Sequence, residues 1–397
     1  MLNALCLVLC FIIVYYFFYK SFEQPVLGIY KQCSKYSWIK FVIAKVFLYL
    51  RKQKPIQSTN IARLEQPQVL SENIHAVDAV YFNGCDSQLS WLVCGTARRR
   101  NRLVNGFFYL KIREFSDQLL ISPKLPDTCL RQSPSEEGFF QAEGIKLTPV
   151  EPMKSWKIEY NGLMRFEQAN SQHFNVKLNA LWTTDLPFFN FATDMSPGPV
   201  ARAMSKELWS KEYFNNLKQY HQTHYEHFGK LKGGVEIDGI EYPLNLDCMR
   251  DHSFGKQRNW KNFHRYVMHF IHLENGDRIT VGRICMPVTF SSLEVGFVSL
   301  ASERRNHPIT EVQLELFQHG EHDQPPTDYA FRFSAGGVQY TVQVLARLAP
   351  HFFLGIEQEC RIVEQLCDFK VNGLAGWGAA EWQYRNFVAP ENVRKSF

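Results

Sequence analysis

No Gly-x-x-x-x-Gly-Lys-Ser/Thr phosphate loop occurs in this chain of 397 residues, and no Gly-x-Gly-x-x-Gly turn, His-Glu-x-x-His pair or Gly-x-Ser-x-Gly elbow. Direct sequence support for a nucleotide-dependent enzyme, a zincin or an α/β-hydrolase is therefore missing. No Asn-x-Ser/Thr glycosylation acceptor occurs, although Asn is common. The ten cysteines (6, 10, 33, 85, 94, 129, 248, 285, 360 and 367) show neither metal spacing nor a dense disulfide framework. Cys360 and Cys367 are the closest pair in the body, and the six residues between them fit no common zinc pattern. Scattered reduced thiols and missing acceptors both agree with a cytosolic body.

Charge is absent from Met1–Tyr19, and a basic run follows it. At about 1.5 Å per residue this segment just crosses a hydrocarbon core of roughly 30 Å. Tyr15, Tyr16 and Tyr19 sit where an aromatic belt would meet the headgroups. From Lys20 to Lys54 there are eight Lys/Arg and one acid, Glu23. The positive-inside rule then predicts a single-pass signal anchor with the body facing the cytosol. An endoplasmic-reticulum membrane is the default address of such an anchor. The rival reading, a cleaved signal peptide, needs a basic n-region and small residues at a cleavage site. This run ends instead in Phe17-Phe18-Tyr19-Lys20.

A second basic, apolar stretch follows. Ser37 caps a predicted helix over Trp38–Leu50 in which Lys40 and Lys45 alternate with Phe41, Val42, Ile43, Val46, Phe47, Leu48 and Leu50. It is too short and too charged to span, and it suits a helix lying on an anionic lipid surface, with packing on the body as the alternative. Residues 20–54 carry a formal +7 against +5 for the whole chain, so the rest is about −2. The basic balance is a membrane signal and gives no support to nucleic-acid binding.

The body reads as mostly β. Asn-Gly occurs at 83, 105, 161, 275 and 372, with Asp238-Gly239 and Gly336-Gly337 similar, and such pairs tolerate the positive φ of tight hairpins. His173–Trp182 alternates with Phe174, Val176, Leu178, Ala180 and Trp182 on one face. Arg258–Leu273 and Arg278–Val288 flank Asn275-Gly276 as a long predicted hairpin. From Val200 to Phe228 there is no Gly or Pro, and the spacing predicts one or two helices. The expected organisation is a transmembrane segment (1–19), a basic juxtamembrane segment (20–74), a first β-barrel-like domain (75–198), a helical connector (199–230) and a second β-barrel-like domain (231–390).

Two clusters carry the candidate chemistry. Arg250-Asp251-His252-Ser253-Phe254-Gly255 with Arg258-Asn259-Trp260 places an acid, an imidazole and guanidiniums together, costly to bury unless paired. His252 beside Asp251 could relay a proton near neutral pH. Adjacent strand residues face opposite sides, so both enter one cavity only if the chain bends, which Gly255 permits. The alternative is an Asp–Arg latch that closes a barrel. On the next strand His264, Tyr266, Met268, Phe270 and His272 share a face, which makes His264 and Tyr266 candidate ligand contacts. The second cluster, Gly376-Trp377-Gly378 with Glu381, suggests close strand packing or a barrel closure. Pointing inward, Glu381 would have a raised pKa and act as an acid; the alternative is a structural tie to Arg250 or Arg258.

Together these motifs resemble the carotenoid-hydratase/AttH-like superfamily, with Phe254 where the usual Asp-His-x-Trp-Gly pattern has Trp. The match looks nearest to uncharacterised animal proteins in which the module stands alone or beside a phosphoenolpyruvate-synthase-like region, a region this chain lacks. The resemblance covers roughly 75–390, with specific motifs at about 20 positions. It implies a mainly β fold of two consecutive lipocalin-like antiparallel barrels. It also implies cofactor-independent hydration, cyclisation or isomerisation of an apolar isoprenoid or polyene. Asp251 and His252 would be the proton-transfer groups, and Trp260 and Tyr266 would steady a developing carbocation. Trp377 and Glu381 would line or support the site, with Arg250, Gly255 and Arg258 structural. The expected partners are a membrane lipid surface and a hydrophobic small molecule, with no metal or cofactor. A non-catalytic lipid carrier and a membrane scaffold are the competing functions.

Overall fold

The computed structural model describes residues 23–52, 61–169 and 172–386. Eight strands form the first ring: β1 (Val77–Cys85), β2 (Trp91–Arg98), β3 (Leu103–Lys111), β4 (Leu120–Ile121), β5 (Ser155–Phe166), β6 (His173–Thr183), β7 (Gln222–Ile237) and β8 (Ile240–Gly255). Each pairs antiparallel with the next, and β8 returns to β1. The second ring repeats the pattern with β9 (Arg265–Leu273), β10 (Arg278–Met286), β11 (Phe290–Leu300), β12 (Arg305–Gln313), β13 (Asp328–Ala335), β14 (Val338–Leu348), β15 (Cys360–Val371) and β16 (Leu374–Arg385). There β16 closes on β9. The expected two consecutive antiparallel barrels are present, and closure leaves neither ring an open edge.

Eight strands enclose a space that side chains alone can fill. In the first barrel Phe82, Phe108, Trp156, Tyr160 and Trp182 fill it. In the second the core includes Val267, Ile271, Phe331, Phe333 and Trp382. Strand β6 shows how the sequence achieves this: its residues alternate exposed and buried along its whole length.

The expected boundaries need correction. The stretch expected as a connector, 199–230, lies within the first barrel, between β6 and β7. It holds two helices, Pro197–Ser205 and Lys211–Gln219, and then the start of β7. The hairpin β7–β8, expected in the second unit, closes the first. The misleading signal was Gly233-Gly234, which reads as a break. Gly233 is instead a mid-strand position where β7 presses on β6: a Cβ there would lie 2.2 Å from the Asn179 carbonyl oxygen. The predicted hairpin around Asn275-Gly276 is present as β9–β10. Its first arm starts late, because the Asn259 side chain accepts from the Lys261 N–H at 3.0 Å and turns the chain through Trp260–Asn262.

Among the described residues four helices flank the rings: α1 (Ser37–Lys52), α2 (Ile61–Leu64), α3 (Pro197–Ser205) and α4 (Lys211–Gln219). Helix α1 covers the predicted 38–50 and packs on α3 through Ala44, Ala201 and Met204. Among the described residues no helix is long and apolar enough to cross a membrane. The anchor expected over Met1–Tyr19 lies outside the described residues.

Candidate active site between the barrels

Because both interiors are packed, the large cavity lies elsewhere. A space of ≈1280 Å³ opens between the outer faces of β1, β7 and β8 on one side and β9 and β16 on the other. Its walls are strongly aromatic, with Tyr81, Phe107, Trp260, Phe263, Phe270 and Phe352 among them. Helices α1 and α4 flank its mouth: Ile43 and Phe47 of α1 and Phe214 of α4 line it and are also exposed.

Backbone alternation on β8 divides the first predicted cluster. Asp251 faces the cavity. His252 faces the interior of the first barrel and is fully buried. Its Nε2 lies 2.7 Å from Asp78 Oδ1 and its Nδ1 2.9 Å from the Tyr225 hydroxyl. Arg98 donates to the other Asp78 oxygen at 2.6 Å. Arg250 points the same way as His252, donates to both Glu65 oxygens at 2.9 Å, and lies between the rings of Trp156 and Trp182 at 5.1 and 4.9 Å. Burial opposes the Glu65 charge, but Arg250 and hydrogen bonds from Tyr225, Trp156 and Met153 outweigh it and hold the carboxyl below its usual range. In place of the predicted Asp–Arg latch, Arg250 pairs with Glu65. Gly255 ends β8 against Val77 and Gln222.

On the cavity wall of the first barrel, Asp251 meets two residues that the sequence reading did not single out. His224 Nε2 lies 3.1 Å from Asp251 and 3.6 Å from Glu226. Both are close charge contacts, the one to Asp251 the shorter. Phe191 stacks on the imidazole at 4.6 Å. Burial disfavours the imidazolium, but Asp251 and then Glu226 outweigh it and raise its pKa. The His224 side chain is 32% accessible while protein surrounds it, as befits a group exposed to a cavity. Glu226 accepts from Thr280 at 2.6 Å, and burial pushes its carboxyl up to about 7.

The second barrel supplies a carboxyl pair. Glu364 and Glu381 stand directly opposite each other on the paired strands β15 and β16. Glu381 lines the cavity and accepts from the Tyr266 hydroxyl at 2.6 Å. Glu364 is fully buried behind it and accepts from the Tyr81 hydroxyl at 2.9 Å. Burial raises both, and the charge of Glu381 raises Glu364 further. Two such carboxyls side by side retain one proton at pH values where isolated ones have lost it. The Asp251 charge also raises Glu381 and that of His224 lowers it, so the two walls act on one space.

Of the remaining predicted contacts, Trp260 and Tyr266 line the cavity. The Arg258 guanidinium lies over the Trp260 ring at 5.8 Å, donates to Gln222, and also lines the cavity. The alternative tie from Glu381 to Arg250 or Arg258 is replaced by the Glu364 and Tyr266 partners. His264 is away from the lining: it pairs with Glu321 at 2.9 Å and meets Tyr30 edge-on at the end of the second barrel. Trp377 packs behind the cavity wall with Leu366 and Phe352. Among the described residues no three His, Cys, Asp or Glu side chains are placed to hold a metal ion.

The profile of one family matches residues 5–384. The chain belongs to that family, described as a Family of unknown function (DUF8627). Among curated proteins none matches this member of the family. Solved structures do. An AttH-like protein of Nitrosomonas europaea shares 13% identity at a TM-score of 0.49, over 83% of this chain and 97% of that one. Kievitone hydratase of Nectria haematococca shares 10% at 0.48, over 79% and 90%. CghA with Sch210972 shares 9% at 0.44, over 81% and 94%. The animal and phosphoenolpyruvate-synthase link has no counterpart among these matches.

Proposed function

We propose that this protein binds a lipophilic small molecule between its barrels and transfers a proton to it without a cofactor, by hydration, cyclisation or isomerisation of a polyene or isoprenoid-like substrate. The observation that carries this reading is a carboxyl pair, Glu364 and Glu381, set opposite each other on paired strands, both raised by burial, with Glu381 opening onto an aromatic cavity. Protonating an alkene needs an acid held where water does not compete, and aromatic faces nearby to steady the cation. Glu381 is the group at the surface, Glu364 the reserve behind it, and Tyr266 fixes the orientation of Glu381. On the facing wall Asp251 and His224 are placed to accept a proton from the cation or from a water that adds to it. The catalytic role expected of His252 passes to His224 in this reading.

The test is native mass spectrometry and lipid extraction on the full-length protein and on Glu381→Gln, which keeps the shape and removes the acid. The expected result is an apolar ligand in both, with product in the wild type and unconverted substrate accumulating in the variant. The same unmodified lipid at equal occupancy in both would replace the enzyme by a carrier. No apolar ligand in either would remove the cavity as the seat of function.

A further inference from the structure

Helix α1 leaves an apolar face uncovered. Trp38, Val42, Val46 and Tyr49 are 64%, 49%, 53% and 56% exposed, and at helical spacing they share one side. The opposite side is buried: Ala44 packs on α3, and the Lys40 amine donates to the Glu207 carbonyl at 3.0 Å. Exposed Lys45 and Lys52 lie along one edge of the apolar face, Lys52 also donating to the Asp194 and Met195 carbonyls at 3.3 Å, and the helix contains no acidic residue. A single-signed basic edge beside an apolar face marks a surface that an anionic lipid layer satisfies at once, headgroups on the lysines and acyl chains under the rings. A second copy of the same helix would bring like charge against like charge.

The same helix walls the cavity. Ile43 and Phe47, 48% and 61% exposed, continue the apolar face round to the rim. Ile43 and Phe47 therefore belong both to the exposed apolar face and to the cavity lining, where Arg51 and Lys52 of the same helix also stand. We infer that α1 lies in the headgroup layer of an anionic membrane and that the cavity opens into that layer. The lipophilic ligand then passes from bilayer to cavity across Ile43 and Phe47 without entering water. The docking half stands on α1 alone; the portal half rests on the ligand-binding reading above.

The docking half is tested with the full chain in vesicles of phosphatidylcholine and phosphatidylserine whose acyl chains are brominated, which quench nearby indoles. Part of the tryptophan emission should be quenched in the wild type, and that part should vanish in Trp38→Phe. Equal quenching in both proteins would overturn the docking. So would a concentration-dependent dimer that Trp38→Phe abolishes, with no quenching. Quenching unchanged when phosphatidylserine is left out would overturn the anionic surface. For the portal half, uptake of a fluorescent polyene fatty acid is followed from vesicles and from detergent micelles. Val42→Asp with Val46→Asp should slow uptake from vesicles about tenfold and leave uptake from micelles unchanged. Unchanged uptake from vesicles would overturn the portal. A wild type that binds the probe from neither source would overturn the cavity reading while the Trp38 result stands.

Discussion

Glu226 is the side chain whose environment makes the sharpest demand. It is 1% exposed, with Thr280 as its hydrogen-bond donor and His224 as a nearby charge. Burial lifts its carboxyl from 4.5 to about 7. The folded state therefore holds this proton more tightly than the unfolded chain. Its contribution to stability is complete below about pH 4.5 and is lost as pH rises through about 7. The loss is about 3 kcal/mol at most. Thermal unfolding of Glu226→Gln across this range should lack that decline, so the variant gains on the wild type between pH 4.5 and 8. Parallel curves for the two proteins would show that Glu226 titrates normally. The motif around Asp251 was legible because the residue types are rare together. Its division into one cavity residue and one core residue follows from strand alternation and was legible too. His224 and Glu226 were missed because the helix-like run from Val200 to Phe228 hid the start of β7, where their spacing of two puts them on one face. Glu364 sits among Ile362, Val363 and Leu366 with no motif around it, and only the pairing of β15 with β16 brings it to Glu381.

Turns show which element-scale signals the sequence carries. Asp238-Gly239, Gly336-Gly337 and Asn372-Gly373 all have positive φ and join β7–β8, β13–β14 and β15–β16. Asn83-Gly84, Asn105-Gly106 and Asn161-Gly162 lie inside strands instead. There Asn83 bonds Trp91 and Tyr81, Asn105 bonds Arg99 and Thr128, and each glycine yields space to a neighbour. A dipeptide states that a turn is permitted; the neighbouring strand decides whether one forms. The glycines around Trp377 were read as a barrel closure, and β16 does close the second ring on β9. Gly378 is the tightest point, where a Cβ would stand 1.9 Å from the Phe270 carbonyl oxygen. Backbone cannot yield that distance without breaking the β9–β16 pairing. Gly378→Ala should therefore destabilise the protein by roughly 3 kcal/mol or more, beyond an ordinary substitution. Denaturant titration measures it, and a loss under about 1 kcal/mol would mean that the two strands can separate locally at little cost.

The whole molecule hangs on the contact between the barrels, because the cavity has one wall on each. Polar ties cross this contact: Tyr81 to Glu364, Tyr109 to the His351 carbonyl at 2.9 Å, Thr280 to Glu226, and Arg278 to Asp247 at 2.7 Å. Aromatic stacks cross it too, Phe107 on Phe352 at 4.2 Å and Phe189 on Phe297 at 4.4 Å. The N-terminal segment adds a plug to each ring, Tyr30 against the second core and Glu65 on Arg250 in the first. Two domains move independently by default unless their interface is large and apolar, and this one contains buried aromatic clusters fed by both barrels. The barrels should accordingly unfold in one transition, with calorimetric and van't Hoff enthalpies equal. Phe352 is 1% exposed and lies at the centre of one of these clusters. Phe352→Ala should cost about 3 to 5 kcal/mol and lower that single transition. If instead it splits the endotherm in two, the interface is what couples the barrels and each ring holds its own stability. Two endotherms already present in the wild type would mean that the cavity walls are not held rigidly together, and a proton-transfer geometry spanning them could not be preorganised.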